Sequence, residues 1–444
     1  MTRRHGYALL AAITALIVAL STAIYVGVSS DDGAAQQTVA AGRPPRNSAA
    51  PASTGTWVGS WSASPAAAEP GTETTGLANR SVRNVVHAGV GGTSARITLS
   101  NLYGQRPLTI THASLALAAA DDSAAALPES MRRLTFNGGD TTVIVPAGGQ
   151  VVSDAVRLRI PHDSDVLVTT YSPTSSGAVT YHPHARQISY AAEGDLAEDV
   201  TGTGFTEQVE YWRYLTALDV LSNESDGTVV VLGDSLTDGI TSTEGANRRW
   251  TDVLSQRIRA ALAAGQDVPR YSVVNQGISG NRVLDDGLGR PADNPSGLNR
   301  FARDVLARTN VKVVVIDLGV NDILRNPELA DPDAVLDGLR TLVRQAHARG
   351  IKVIGATLMP FHGHRGYTDA REAVRQRINA EIRSGTVYDA VADFDQALRD
   401  PADPRRLRAD YDSGDHLHPS DAGYERMAES FDLTSLAGAA PARL

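Results

Sequence analysis

The sequence predicts an α/β protein in which a parallel five-stranded sheet lies between layers of helix, preceded by an antiparallel β-sandwich. Three observations carry this. From Thr228 onward, short aliphatic runs alternate with segments of helical periodicity, the pattern of repeated strand–helix units. Between Trp57 and about Asn223 the runs are short, β-like and divided by Gly, Pro and Asp, as in sandwiches. The turns after parallel strands one, two, three and five are polar, and they fall where open α/β sheets bind ligands. The chain divides accordingly into an export segment (1–28), a linker (29–56), a sandwich (57–225), an α/β domain (226–436) and a tail (437–444).

Arg3, Arg4 and His5 precede an uncharged run from Tyr7 to Val28, and Asp31 and Asp32 follow it. Positive charge before an apolar run and acid after it fit export. The run is long enough to span a bilayer, and Ser21-Thr22-Ala23 fits a cleavage site, so a cleaved signal and a single N-terminal membrane anchor are both open. The Ala-, Gly-, Ser-, Pro- and Gln-rich stretch that follows reads as a flexible linker. In the sandwich, strands are expected at Arg96 to Ser100, Leu108 to Ile110, Thr141 to Val145, Val151 to Ile160, Val166 to Tyr171 and Tyr211 to Leu218, with no long helix. Trp57, Trp61, Tyr103, Tyr181 and Trp212 either stack on sugars or, the reading we favour, fill the sandwich core and its interface.

In the α/β half, strands are expected at Thr228 to Leu232, Tyr271 to Asn275, Val311 to Leu318, Ile351 to Leu358 and Val387 to Phe394. Helices are expected at Asn247 to Ala263, Asn299 to Arg308, Asp333 to Arg349, Asp369 to Ser384 and Ser420 to Phe431. Gly350 ends the third of these helices.

The first strand ends in Gly233 and hands over to a turn bearing Ser235, which either presents a nucleophilic hydroxyl or, with Thr237, caps a helix. A serine nucleophile needs a base, and histidine, with an unperturbed pKa of about 6.5, suits that task near neutrality. His418 follows Asp415 by three residues, so one turn of loop can fold the carboxylate onto the imidazole and leave its other nitrogen for Ser235. Asp412 with His416 is the competing pairing, and Asp415 could instead only cap the last helix. The backbone N–H groups of Ser235 and Gly280 and the amide of Asn321 are candidate donors to an oxyanion. Arg248, Arg249 and His362 could touch substrate, although a solvated helix face is the default for the two arginines.

Composition excludes several classes. A net charge of −9 is not the basic footprint of a nucleic-acid binder. The absence of cysteine removes disulfides, thiolate zinc sites and a cysteine nucleophile. The pairs His182 with His184 and His362 with His364 lack an accompanying carboxylate cluster, so no metal is expected.

Taken together, Gly233-Asp234-Ser235-Leu236, Ile278-Ser279-Gly280, Gly319-Val320-Asn321-Asp322 and Asp415-His416-Leu417-His418 resemble the blocks of the SGNH (GDSL-type) hydrolases, in order and spacing from about Thr228 to Phe431. The resemblance implies a flavodoxin-like three-layer domain and serine esterase or lipase chemistry with no metal or other cofactor. It implies Ser235 as nucleophile, His418 as base and Asp415 as orienter, with Ser235, Gly280 and Asn321 donating to the oxyanion. Thr243 to Trp250 and the β-rich leader are similar to a secreted bacterial subgroup of xylanase-linked arylesterases and acetylxylan esterases. The expected protein is therefore an exported serine esterase acting on small-molecule or polysaccharide esters, short acyl groups and polysaccharide O-acetyl groups among them. The alternatives are a lipase or acyltransferase using the same triad, and a cell-surface carbohydrate-binding protein.

Overall fold

A computed structural model describes residues 55–121, 123–287 and 294–440. The expected export segment, nearly all of the linker and the last residues of the tail lie outside them. Among the described residues no helix is long and apolar enough to cross a membrane.

Each strand of the α/β half is apolar on both faces because helices cover both. In the first, Gly227–Gly233, the side chains alternate: Val230 and Leu232 join one core with Leu336, Leu339 and Ile378, whereas Val229 and Val231 join the other with Trp250, Leu254 and Phe431. The five parallel strands, in chain order Gly227–Gly233, Tyr271–Gly277, Val311–Asp317, Lys352–Ala356 and Ala390–Ala392, lie side by side in the order two, one, three, four, five. The chain therefore leaves strand one in one direction and returns on its other side. That reversal opens a crevice at the carboxyl end of strand one, the switch point where such sheets place their ligands.

The helices begin and end as their sequences dictate. Asp331 caps Pro332–His347 by accepting the Asp333 N–H, proline takes the first turn, and Gly350, at φ 68°, follows the end. Helix Trp250–Ala263 starts three residues later than expected. The expected helix over Asn299 to Arg308 divides into an α-helical turn, Gly297–Phe301, and a π-helical segment, Ala302–Leu306. The fifth strand is shorter than expected, because Asp393 caps a helix at Phe394–Leu398 by accepting the Gln396 N–H.

The preceding region is two antiparallel sheets packed face to face. One runs Thr56–Ser62, Leu215–Ser222, Gly92–Ser100, Val156–Ile160; the other runs Glu207–Val209, Ser189–Glu193, Arg80–Ala88, Ser164–Ser172, His112–Leu117, Arg132–Arg133. Val58, Ile97, Leu99 and Leu218 of the first sheet meet Val82, Val86, Leu115 and Val168 of the second in one core. The expected strand over Val151 to Ile160 is two strands, Gln150–Val152 and Val156–Ile160. The run from Tyr211 to Leu218 is broken at Tyr214, whose φ of 61° sends Trp212–Arg213 into a small separate sheet. Trp61 and Trp212 are buried edge to face, with ring centroids 4.8 Å apart, so these two aromatics serve packing rather than an open sugar-binding face.

The sandwich and the parallel sheet pack as one unit. Gly59 lies flat against the parallel sheet; a Cβ there would come within 2.9 Å of Val274. The Ser62 hydroxyl donates to the Asn275 carbonyl at 3.1 Å, and buried Arg300 reaches both the Ser64 hydroxyl and the Gly233 carbonyl. The sandwich thus touches the parallel sheet at the carboxyl ends of strands one and two, beside the crevice.

Candidate active site

Strand one ends at Gly233 because nothing larger fits: a Cβ would lie 2.1 Å from the Thr237 hydroxyl. The chain turns into a single helical turn, Ser235–Asp238, closed by Gly239 at φ 90°. Its N-cap is Asp234, not Ser235 or Thr237. The Asp234 Oδ1 accepts the Leu236 N–H at 3.0 Å, while the Thr237 hydroxyl instead donates to Asp317 at 2.9 Å. Freed from capping, Ser235 faces the crevice.

The loop Asp412 to Pro419 brings an imidazole to that serine. His418 Nε2 lies 2.8 Å from Ser235 Oγ, and His418 Nδ1 lies 2.6 Å from Asp415 Oδ2. The other Asp415 oxygen accepts the backbone N–H groups of Leu417 and His418. Partial burial pushes the Asp415 carboxyl up, but the His418 hydrogen bonds and charge outweigh it and hold the group below its ordinary value. Asp415 does not cap the last helix; Ser420 does, accepting the Gly423 N–H.

The competing pair forms as well, but elsewhere. His416 Nδ1 lies 2.6 Å from Asp412 Oδ2, and Asp412 Oδ1 accepts the His416 and Gly414 N–H groups. The His416 backbone is left-handed, at φ 63°, and its ring packs over Gly363 rather than on Ser235. Two Asp–His dyads of the same internal geometry thus stand side by side, and only that of His418 meets the serine.

The turns after strands two and three complete the crevice. Gly277 packs so tightly on the Ser235 helix that a Cβ would lie 2.3 Å from the Asp238 nitrogen, and the Ile278 N–H reaches the Gly233 carbonyl at 3.1 Å. Gly280 follows at φ 78°, and among the described residues its N–H meets no acceptor. The Ser235 N–H opens a helix and so lacks an intrahelical partner. Asn321 lies in Val320–Leu324, the helical turn after strand three. Its Nδ2 donates to Asp234 Oδ2 at 3.0 Å and its Oδ1 accepts Arg325 Nε at 3.1 Å. A carboxylate on one side and a guanidinium on the other fix which way the amide points, leaving the second N–H free.

Burial and the neighbouring Asp317 charge push the Asp234 carboxyl well above its ordinary range, against the hydrogen bonds from Leu236 and Asn321. Burial likewise raises Asp317 and Asp322, each to about 6.

Arg249 is not a solvated helix residue. It is buried, its Nε donates to the Asp238 carbonyl at 3.0 Å, and its guanidinium reaches the Ala185 carbonyl. Arg248 is exposed, and His362 is held by Asp403 at 3.1 Å. Among the described residues no group of three potential metal ligands is assembled. Sequence reasoning passed over Asp234 and Arg325. The preference for Asp at an N-cap points to the first, and a four-residue helical spacing from Asn321 points to the second.

Residues 231–426 match the GDSL-like Lipase/Acylhydrolase family. The match covers most of the α/β half of the chain. No curated protein matches the chain. Among solved structures, a G-D-S-L family protein from Desulfitobacterium hafniense is 22% identical, with a TM-score of 0.35, over 46% of this chain and 97% of that one. A GDSL-like lipase from Bacteroides thetaiotaomicron is 23% identical, with a TM-score of 0.32, over 46% of this chain and 84% of that one. An acetylxylan esterase from Geobacillus stearothermophilus is 22% identical, with a TM-score of 0.36, over 48% of this chain and 95% of that one.

Proposed function

We propose that the protein is an exported serine esterase that hydrolyses carboxylic esters, with a preference for short acyl groups, through an acyl-serine intermediate. One observation carries the reading: the unbroken line from Ser235 Oγ through His418 to Asp415. Ser235 Oγ attacks the ester carbonyl as its proton passes to His418 Nε2, and the carbonyl electron pair becomes an oxyanion facing the N–H groups of Ser235, Gly280 and Asn321. His418 then protonates the departing alkoxide as the C–O bond breaks. Water attacks the acyl-serine as it gives its proton to the same nitrogen, and the second tetrahedral intermediate then collapses as His418 returns that proton to Ser235 Oγ, which breaks the acyl C–O bond and releases the acid. Asp415 stays ionised and holds the ring in the tautomer this cycle needs.

The charge pattern around Tyr7 to Val28 supports export. The resemblance of Thr243 to Trp250 and the β-rich region to acetylxylan esterases supports polysaccharide O-acetyl groups as substrates. A panel of p-nitrophenyl esters from acetyl to long acyl chains, with acetylated xylan included, tests the reading. Turnover falling as the acyl chain lengthens is expected, and no turnover of any ester would overturn it.

Asn321→Ala tests the oxyanion assignment. Removing one such donor is worth about 3–4 kcal/mol, so kcat should fall about 100- to 1000-fold with KM little changed. A drop confined to KM would show that Asn321 binds the ground state instead.

A further inference from the structure

One contact from the preceding region leads directly to the turn that carries Gly280. His182, at the end of strand Thr180–His182 in the small sheet that also holds Trp212–Arg213, is 4% exposed at its side chain, as is its partner Asp238. Its Nδ1 lies 2.8 Å from the Ser64 carbonyl, and its Nε2 lies 2.9 Å from Asp238 Oδ1. The second Asp238 oxygen accepts both the backbone N–H of Ser279, at 3.0 Å, and the Ser279 hydroxyl. Ser279 precedes Gly280 directly. We propose that His182 is a positioning residue of the esterase: through its Nε2 it grips Asp238, and Asp238 grips the Ser279–Gly280 turn so that the Gly280 N–H faces the oxyanion.

The protonation state follows from hydrogen-bond chemistry. A carbonyl oxygen can only accept, so Nδ1 carries a hydrogen. The Nε2 partner is a carboxylate, so a second proton lies between Nε2 and Asp238. Burial pushes the Asp238 carboxyl up, but the His182 charge and hydrogen bond, the His184 charge and the Ser279 hydroxyl hold it below its ordinary value. His184, Arg186 and Arg249 are the other basic groups around the pair, and Arg249 is spent on the Asp238 carbonyl. The Trp212 ring lies beside the imidazole, with centroids 5.5 Å apart, and both members of the pair are buried. The arrangement gives the sandwich a task in the reaction itself, since the turn that presents Gly280 has its carboxylate anchor fixed from the other half of the chain.

The proposal rests on the serine esterase reading for its kinetic part and stands apart from it for its structural part, so two measurements are paired. His182→Gln keeps a donor toward Asp238 but not the ring, and Ser279→Ala removes one bond to Asp238 without touching the buried imidazole. Hydrogen exchange of the full chain should speed up at Gly277 to Asn281 in both variants and stay unchanged at Asp412 to His418. On p-nitrophenyl acetate, kcat should fall about 10- to 100-fold for His182→Gln, the scale of a misplaced reacting group, with KM within about twofold. Ser279→Ala should fall in the same direction by less. Unchanged exchange and unchanged kcat in a folded His182→Gln protein would overturn the proposal. So would exchange raised throughout the sandwich together with lost activity, the mark of a merely structural residue. An inactive wild type whose His182→Gln variant still loosens Gly277 to Asn281 would overturn the esterase reading while sustaining the anchor.

Discussion

Ser235→Ala should remove ester hydrolysis almost entirely, with kcat falling about 10⁴- to 10⁶-fold, while the protein stays folded. Loss of the nucleophile from a serine triad has an effect on that scale, and the remainder comes from the oxyanion donors and binding. The variant should fold because the hydroxyl contributes no cap: Asp234 starts the helical turn, and the bond from Ser235 Oγ goes to His418 alone among the described residues. Circular dichroism and a thermal melt close to wild type, beside an ester assay at background, are the expected pair of results. Turnover within tenfold of wild type would remove Ser235 from the mechanism.

His418→Ala and His416→Ala should differ by several orders of magnitude, although the residues are two apart and each holds its own aspartate. His418→Ala leaves Ser235 without an acceptor for its proton, and kcat should fall about 10⁴-fold or more. His416→Ala removes a ring that is half exposed and bonded to Asp412, so kcat should stay within about threefold. The comparison is read most cleanly with a fluorophosphonate probe, which labels Ser235 only when its base is in place. Rapid labelling of His416→Ala and slow labelling of His418→Ala are expected, and the reverse would hand the role of base to His416.

The two dyads also show how far the sequence reaches. Asp415 and His418 are legible because their relation is local: three residues of loop close the hydrogen bond whatever the rest of the chain does. Asp412 with His416 is equally local and equally legible, so spacing alone cannot choose between them. The choice is made by the left-handed backbone at His416, which turns that ring toward Gly363, and by strand one, which brings Ser235 to the other ring. Strand one itself is legible because both its faces are buried and four aliphatic residues stand in a row. Strand Arg80–Ala88 is not, because Arg83 and Asn84 interrupt its apolar pattern. Both are fully buried, with Arg83 bonded to Thr169 and to the Ala124 and Asp199 carbonyls, and Asn84 bonded to the Arg213 backbone. A buried cation with distant partners looks like a surface residue until those partners are known. The contact between His182 and Asp238 is hidden for the same reason, since it joins two halves of the chain with different periodicities.

Strand Leu215–Ser222 passes to strand Gly227–Gly233 through Asn223 to Asp226 alone, and this joint is pinned. The Asp226 N–H and the Ser225 hydroxyl both bond the Arg270 carbonyl, and Arg270 in turn reaches the Asn223 carbonyl. In gene-fusion terms the α/β half is not a cassette that can be lifted out at Thr228. A cut there would strip Gly59, Ser62, Ser64 and His182 from the crevice end of the sheet. The transferable unit begins ahead of Thr56, and a chimera that grafts a new binding module onto this enzyme should place its junction there.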